Sequence, residues 1–247
     1  MLDQFLIVIP ARLHSRRLPR KPLQDLGGLP LIVQVYKNLE PLGKLGATIV
    51  VATDSTDVLK ICKEHHVEVV MTRSDHQSGT DRCAEVAGAY QKPFVMNVQG
   101  DEPFVDLNDL KSLAKVFENN QNISMATLRY ACQDHKKLFD PNVVKVVGDK
   151  NGKALYFSRS PIPFVRDKQN SDDFTFYQHL GIYAFEKQSL DRFCSFKAGY
   201  LETLEKLEQL RALEHGMDII LVDARQPGHG IDTPEDLQEA RLIISRA

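Results

Sequence analysis

Cysteine is scarce in this sequence of 247 residues: it occurs four times, at widely spaced positions, and never as a CxxC pair. This pattern argues against both a zinc knuckle and a disulfide framework. The first apolar run, FLIVIP, is short and follows an acidic residue, Asp3, so neither a signal peptide nor a membrane-spanning segment is expected. Reduced thiols and a cytoplasmic location are the resulting predictions.

An excess of either charge is also missing. The formal net charge is −2, whereas a general nucleic-acid binder normally carries a strong basic excess, so neither a nucleic-acid partner nor membrane insertion is expected. The sequence contains neither GxxxxGK[ST] nor GxGxxG, which excludes a P-loop and the usual dinucleotide fingerprint. Its hydrophobic content of 43% suits an ordinary globular core.

Strand-like apolar runs alternate with amphipathic helical patterns in the first part of the chain. The runs FLIVI, ATIVVA, VEVVM and FVMNV predict four strands, and helices are expected from about Leu31, Thr56 and Asp81. Strands and helices that alternate in this way indicate crossover connections. The predicted fold class is therefore α/β, with a mostly parallel Rossmann-like sheet flanked by helices.

The pattern changes after about Met125. The run NVVKVVGDKNGKALYFS predicts two strands joined by a turn at residues 149–152, which indicates an antiparallel insertion. HLGIYAF predicts another strand, which precedes a helix rich in leucine and glutamate near residues 201–215, a strand DIILV and a last helix that DTPED opens. With no internal repeat or obvious linker, we predict one domain over residues 1–247, with an antiparallel subregion around residues 130–200.

The loop after the first predicted strand is strongly basic: IPARLHSRRLPRKPL contains five cations. In open α/β sheets, ligands bind beyond the carboxyl ends of the strands. Arg12 can hold phosphate oxygens bidentately, Ser15 can donate its hydroxyl, and Lys21 can neutralise the charge of a leaving pyrophosphate. Composition alone favours a solvated basic loop, because basic clusters are common on protein surfaces.

Further motifs change this balance. The first loop, MTRSDHQSGTDR at residues 71–82, NVQGDEP at residues 97–103 and GIDTPEDL at residues 230–237 together resemble the sugar-nucleotide cytidylyltransferases. The resemblance extends from about Leu6 to Arg241 and includes DPNVVKVV, ALYFSRSPIP, HLGIYAF and LEKLEQLR. It implies the nucleotide-diphospho-sugar transferase fold and the transfer of CMP from CTP to a sugar acid, with release of pyrophosphate.

The resemblance also implies which residues bind CTP. The predicted nucleotide-binding residues are Ala11, Arg12, Ser15, Lys21, Arg73, Gln77, Ser78 and Gly79, and the predicted catalytic residues are Lys21, Arg12 and Asp101. His76 is interpreted as a support of its loop, because no serine or cysteine nucleophile with a matching partner motif accompanies it.

A magnesium site is predicted at the edge of the sheet. Asp101 follows a predicted strand, and carboxylate oxygens suit Mg²⁺, which bridges them to substrate phosphates. The resemblance adds Asp232 as the second ligand, although an aspartate before Thr233 and Pro234 is by itself more typical of a helix N-cap. Mg²⁺ is therefore the expected cofactor.

The acceptor is expected to be an acid with its own carboxylate. Arg159 and Arg166 flank a proline-stiffened segment, and an arginine there can clamp such an acid. The resemblance implies Gln99, His179, Tyr183, Glu208 and Gln209 as further contacts, so the predicted sugar-binding residues are Gln99, Arg159, Arg166, His179, Tyr183, Glu208 and Gln209. From the helical spacing near residues 201–215 we predict that Glu202 faces solvent, opposite a core stripe of Leu204, Leu207 and Leu210. The spacing leaves the role of Glu205 open.

The blocks HLGIYAF and LEQLR favour 3-deoxy-manno-octulosonate (Kdo), an eight-carbon 2-keto sugar acid, as the acceptor. The resemblance further implies a cytoplasmic homodimer in bacteria that build lipopolysaccharide. Alternatives that remain are 8-amino-Kdo or a sialic acid as acceptor and, in another class, a non-catalytic nucleotide-binding module on the same fold.

Two positions depart from the family pattern. Arg20 stands where glycine is usual, so it is expected either to crowd the first loop or to add a phosphate contact. Phe164 stands where tryptophan is usual, so the packing of that wall is expected to differ.

Overall fold

The structure, a computed structural model, describes residues 1–15, 17–119, 123–166 and 174–246. The strands are β1 (Phe5–Ala11), β2 (Asp25–Leu26), β3 (Leu29–Pro30), β4 (Thr48–Thr53), β5 (Val69–Met71), β6 (Phe94–Asn97), β7 (Met125–Cys132), β8 (Lys145–Gly148), β9 (Ala154–Ser158), β10 (Phe176–Glu186) and β11 (Ile219–Asp223). The α-helices are α1 (Leu31–Gly43), α2 (Thr56–Glu64), α3 (Gly79–Ala89), α4 (Leu107–Asn119), α5 (His135–Phe139), α6 (Lys187–Ser195), α7 (Tyr200–Glu205), α8 (Leu210–Glu214) and α9 (Pro234–Ser245).

The main sheet has nine strands, of which seven follow one another in the order β11-β7-β10-β6-β1-β4-β5. The strands β6, β1, β4 and β5 are parallel, and β11 is parallel to β7. In contrast, β10 runs antiparallel to both β6 and β7, and the hairpin β8–β9 pairs with β10. The predicted α/β class, with a mostly parallel sheet and an antiparallel part, is confirmed.

The strand β1 shows why the sheet has helices on both faces. Residues Phe5 to Ile9 are all fully buried, as expected for a central parallel strand. Because consecutive strand side chains point to opposite faces, Ile7 and Ile9 pack into one apolar layer and Leu6 and Val8 into the other. The first layer includes side chains of α1, α4 and α9, and the second includes side chains of α3 and α6.

Side-chain caps fix the start of two helices near the carboxyl edge of the sheet. The helix α3 begins after Ser78, which accepts a hydrogen bond from the main-chain N–H of Asp81, and α9 begins after Thr233, which accepts one from Asp236. Both caps belong to reciprocal capping boxes, which satisfy N–H groups that the first turn of a helix leaves unpaired.

The single helix predicted near residues 201–215 is wrong, since α7 ends at Glu205 and α8 begins only at Leu210. Lys206 takes left-handed backbone angles, with φ 54°. The reason is a tertiary contact: the Arg159 guanidinium donates to the carbonyls of Glu205 and Lys206, and the Glu205 carboxylate accepts from the main-chain N–H of Arg159. These contacts use groups that a continuous helix would need.

The break also changes two neighbouring interpretations. Glu202 is not solvent-facing: its carboxylate forms a bidentate ion pair with Arg211, whose NH2 lies 2.6 Å from Oε1. Leu207 and Leu210 are buried as expected, but Leu204 is 63% exposed and does not belong to the core.

The four cysteines are free thiols, of which three are buried. Among the described residues, no helix combines the length and the apolar character that a membrane span requires.

Candidate active site

Three segments meet at the carboxyl edge of the parallel strands and form a cavity of about 320 Å³. They are the loop after β1, the segment before α3, and residues 99–101 after β6, which are called the QGD segment below. The cavity is lined by nine of the predicted site residues: Ala11, Arg12, Ser15, Lys21, Gln77, Ser78, Gly79, Gln99 and Asp101. Gly100 permits the close approach of two segments, because a Cβ atom there would lie 2.7 Å from the carbonyl oxygen of Pro10.

Lys21 lies at the centre of the charged groups. Its Nζ donates to Asp101 Oδ2 over 2.5 Å and to Asp232 Oδ1 over 2.9 Å. Burial disfavours the ammonium form, but the two carboxylates outweigh burial and raise the pKa of Lys21 above its ordinary value. The side chain therefore stays cationic at neutral pH.

The segment around Asp232 is held to the QGD segment by a main-chain hydrogen bond of 2.9 Å from Ile231 N to the carbonyl of Asp101. The helix-cap alternative for Asp232 is wrong, because Thr233 caps α9. The Asp232 carboxylate instead contacts Lys21 and, over 2.8 Å, Arg17.

The two carboxylates fit a magnesium ion. Asp101 and Asp232 offer hard oxygen ligands that already converge on a single cation. No group of three or more histidine, cysteine or acidic side chains suited to a metal exists among the described residues. Two protein carboxylates, supplemented by phosphate oxygens and water, are the ligand set that Mg²⁺ commonly takes.

The loop before α3 is braced by Glu85, a residue that sequence reasoning missed because no motif marks it. The Arg12 guanidinium donates to the carbonyl of His76 over 2.5 Å, and the His76 ring contacts the Glu85 carboxylate. Glu85 also accepts from the main-chain N–H of Arg73 at 3.2 Å. Partial burial opposes ionisation of Glu85, but these contacts prevail and lower its pKa. His76 thus links its loop to α3.

Arg73 lines a second cavity of about 560 Å³. His76 and Gln77, from the loop before α3, also line it, and Gln77 lines the first cavity as well. The structure therefore brings Arg73 next to the other predicted cytidine-side residues, although it does not line the first cavity.

Arg20 does not crowd the first cavity, and its guanidinium pairs with a carboxylate. It takes left-handed backbone angles, with φ 53°, and its NH2 lies 2.8 Å from Asp57 Oδ2, at the start of α2. The side chain is thus paired with α2 and does not line the first cavity.

A second group of predicted residues gathers between β6, β10, α3 and α8. Gln99 Nε2 donates to the carbonyl of Gly181 over 3.2 Å, and Glu208 accepts from Thr80 Oγ1 over 2.7 Å. The rings of His179 and Tyr183 have centroids 5.5 Å apart. Gln209 is 3% exposed.

Burial changes the proton affinity of several groups here. It lowers the pKa of His179 to about 3 and, together with the charge of Glu208, raises the pKa of Tyr183. Burial also raises the pKa of Glu208, against the opposing effect of hydrogen bonds from Ser78 and Thr80. His179 is therefore neutral and Tyr183 protonated near pH 7.

Arg159 is tied to main-chain carbonyls: its Nε donates to Glu205 over 2.8 Å and its NH1 to Pro141 over 2.8 Å. Beneath it lies Lys145, which is fully buried and which sequence reasoning missed. Lys145 Nζ donates to the carbonyls of Asp140, Val143 and Arg159 at 2.9, 2.6 and 2.5 Å, and burial lowers its pKa. The position of Arg159 is thus set from two sides.

Arg166, the remaining predicted sugar-binding residue, is exposed. No hydrogen bond or ion pair joins it to another residue that the structure describes, and so the structure does not bring it into either group.

Comparison with known proteins points in one direction. The cytidylyltransferase family model matches residues 6–219. A 3-deoxy-manno-octulosonate cytidylyltransferase of Polynucleobacter necessarius is 43% identical over 98% of this chain and 96% of its own. The protein of the same name from Wolinella succinogenes is 43% identical over 97% of this chain and 99% of its own. A solved structure, of CMP:2-keto-3-deoxy-manno-octonic acid synthetase complexed with CTP, matches with a TM-score of 0.91 and 36% identity over 98% of both chains.

Proposed function

This chain belongs to the cytidylyltransferase family, and we propose that it transfers CMP from CTP to Kdo, forming CMP-Kdo and pyrophosphate. The observation that carries the proposal is the convergence of Lys21, Asp101 and Asp232 at a cavity walled by the basic first loop. Such a site suits a polyphosphate, and the second group of polar residues beside it suits a hydroxyl-rich acid.

The reaction is an in-line displacement at the α-phosphorus of CTP. The anomeric hydroxyl of Kdo loses its proton to water as its oxygen forms the new bond to the α-phosphorus, the bond from that phosphorus to the bridging β-phosphate oxygen breaks, and pyrophosphate leaves. Lys21 and Arg12 stabilise the negative charge that spreads over the phosphate oxygens, so positioning and electrostatics supply most of the rate. No covalent enzyme intermediate is needed.

We assign Asp101 and Asp232 to one Mg²⁺. When bound there, the ion neutralises phosphate charge and helps to orient the triphosphate. The ammonium of Lys21 lies between the two carboxylates and partly offsets their charge.

In this proposal CTP and the acceptor are bound by different residues. The first loop holds the triphosphate, and Arg73, Gln77, Ser78 and Gly79 contact the cytidine. The acceptor is bound by Gln99, Arg159, His179, Tyr183, Glu208 and Gln209. Arg159 supplies the partner for the acceptor carboxylate, since its guanidinium still has N–H groups beyond those donated to Glu205, Pro141 and Lys206.

We also propose a homodimer that forms through the antiparallel subregion. Large apolar side chains in and next to this subregion are more than half exposed: Phe139, Leu155, Phe164, Tyr200 and Leu204. Exposed apolar side chains are typical of interaction surfaces, and a two-fold dimer buries the same residues of both copies. The reaction consumes CTP and its product serves lipopolysaccharide synthesis, so we place the dimer in the cytoplasm.

The decisive experiment measures pyrophosphate release from CTP and Mg²⁺ with Kdo, 8-amino-Kdo and a sialic acid in parallel. We expect release with Kdo, and the ratio of kcat/KM values identifies the preferred acceptor. A folded protein that binds CTP but is inactive with every acceptor would be a nucleotide-binding module and would overturn the proposal. Asp223→Asn, which removes an exposed carboxylate outside the site, is a control variant that should use the same acceptors as wild type.

A further inference from the structure

Asn97, the last residue of β6, is a buried side chain without a partner. It is 1% exposed, and neither its Nδ2 nor its Oδ1 has a hydrogen-bond partner among the described residues. Buried polar groups in folded proteins are nearly always hydrogen-bonded, because an unpaired buried amide costs free energy. An unpaired group that persists in the fold therefore points to a ligand contact.

The strand geometry shows which face Asn97 lies on. Val95 packs into the apolar layer of α3 and α6, and the alternation of β6 puts Asn97 on the same face. Gln99, two residues further along, lines the first cavity. In the sheet, Asn97 is flanked by Tyr183 of β10 and by Val8 of β1, both of which belong to that layer. Asn97 thus continues the row of side chains that leads to Gln99.

Two further unpartnered atoms lie in the same layer. Glu208 Oε1 and Gln209 Nε2 are buried and lack hydrogen-bond partners among the described residues. The ion pair of Glu208 Oε1 with Arg211 spans 3.8 Å, which is too long for a hydrogen bond. Glu208 accepts a hydrogen bond from Thr80 at the start of α3, and the preceding residue, Gly79, lies beside the Gln99 side chain that ends the Asn97 row.

The unpartnered atoms have a pattern that suits sugar hydroxyls. Asn97 offers one acceptor and one donor group, Glu208 offers an acceptor, and Gln209 offers a donor. A hydroxyl both donates and accepts, so hydroxyls on neighbouring carbons can satisfy all of these atoms at once.

We propose that Asn97 binds a hydroxyl of the acceptor sugar acid and helps to select the acceptor, in one polar group with Glu208 and Gln209. This inference rests on the proposed function and extends its acceptor site by one residue. A site built to pair a hydroxyl rejects an analogue without it, because the protein's polar group then remains unpaired.

The test compares wild type with Asn97→Leu, which has a similar size but no polar atoms. We expect kcat/KM for Kdo to fall about 10-fold or more, while the CTP dissociation constant from calorimetry stays within about 2-fold. The Tm of the ligand-free variant should equal or exceed that of wild type, since an unpaired buried amide has been removed. Met96→Leu, on the opposite face of β6, is the matched control.

A second readout uses acceptor analogues that each lack one hydroxyl. For one of them the difference between wild type and Asn97→Leu should vanish, because the lost contact is the same. Asn97→Ala, which removes the amide and adds no bulk, gives the same kcat/KM comparison should leucine be too large for the space.

Three results would overturn the inference. They are an unchanged kcat/KM for Kdo in Asn97→Leu, an equal loss of CTP affinity, and a Tm several degrees below that of wild type, which would make Asn97 a structural residue. These outcomes differ from a failure of the proposed function, in which wild type itself would not use Kdo.

Discussion

Lys21 Nζ lies 2.5 Å from Asp101 Oδ2, so the cation of the first loop is paired with a carboxylate of the QGD segment. Asp232 completes the contact from a segment near the end of the chain. Charged groups from three distant parts of the sequence therefore meet at one point of the fold.

Replacement of either aspartate by asparagine should remove most of the activity. Asp101→Asn and Asp232→Asn each remove one charged oxygen ligand with little change of size, so we expect kcat to fall about 100-fold or more and the Mg²⁺ requirement to rise. The double variant should be little worse than the worse single variant, because the two groups act as a unit. Turnover as a function of Mg²⁺ concentration, measured together with Tm, tests this. Near-normal turnover of Asp232→Asn at the usual Mg²⁺ concentration would remove Asp232 from the ligand set.

Arg159→Ala should weaken the use of Kdo far more than the binding of CTP. The change removes the proposed partner of the acceptor carboxylate, whereas the triphosphate is bound by the first loop. Calorimetric titration of CTP and the KM for Kdo separate the two effects, with Arg129→Ala as a control, since Arg129 pairs with the exposed Asp223. A large loss of CTP affinity at an unchanged KM for Kdo would place Arg159 in the nucleotide half.

His179 should make stability fall in mild acid. Its pKa is about 3 in the folded protein and near 6.5 when exposed, so the unfolded chain binds the proton more strongly between these values. The stabilising effect of the neutral ring is complete above pH 6.5 and is lost progressively as the pH falls towards 3, at up to about 1.4 kcal/mol per pH unit. In urea unfolding between pH 7.5 and 5, His179→Gln should show a flatter dependence, whereas the exposed His66→Gln should follow wild type. Parallel curves for all three proteins would show that His179 does not cause the loss.

Arg20→Gly should be close to neutral. Glycine removes the cost of left-handed backbone angles, about 1 kcal/mol, and loses an exposed ion pair with Asp57 that contributes at most about 1 kcal/mol. The KM for CTP should stay within about 2-fold, because the side chain is directed to α2. Arg20→Ala keeps the backbone cost and loses the ion pair, so it should be less stable than Arg20→Gly by about 1 kcal/mol. A tenfold rise in the KM for CTP in Arg20→Gly would instead indicate a phosphate contact.

The parallel half of the fold could be predicted because its signals are local. The strands β1, β4, β5 and β6 each come from an apolar run, and the residues of the first cavity lie in the segments that follow these runs. Once the strands are parallel, their carboxyl ends meet at one edge, which brings Lys21 and Asp101 together.

The remaining features depend on contacts between distant segments. The break at Lys206 arises because Arg159 takes carbonyls that a helix would use, and neither residue reveals this alone. Lys145 looks like a surface residue in a β-hairpin, but three carbonyls surround its ammonium. Whether Asp232 or Thr233 caps α9 depends on one residue of register, which composition does not fix.

The ladder between β6 and β10 has an evolutionary consequence. In the register from Phe94–Glu186 to Asn97–Tyr183, it joins the strands that carry the nucleotide loops to those that carry His179 and Tyr183. In the proposed assignment, substitutions on β10 alter contacts to the acceptor, while the first cavity, whose lining includes no residue of β10, keeps its sequence. Descendants of one ancestral enzyme can therefore diverge in the sugar that they activate and retain the same activating nucleotide.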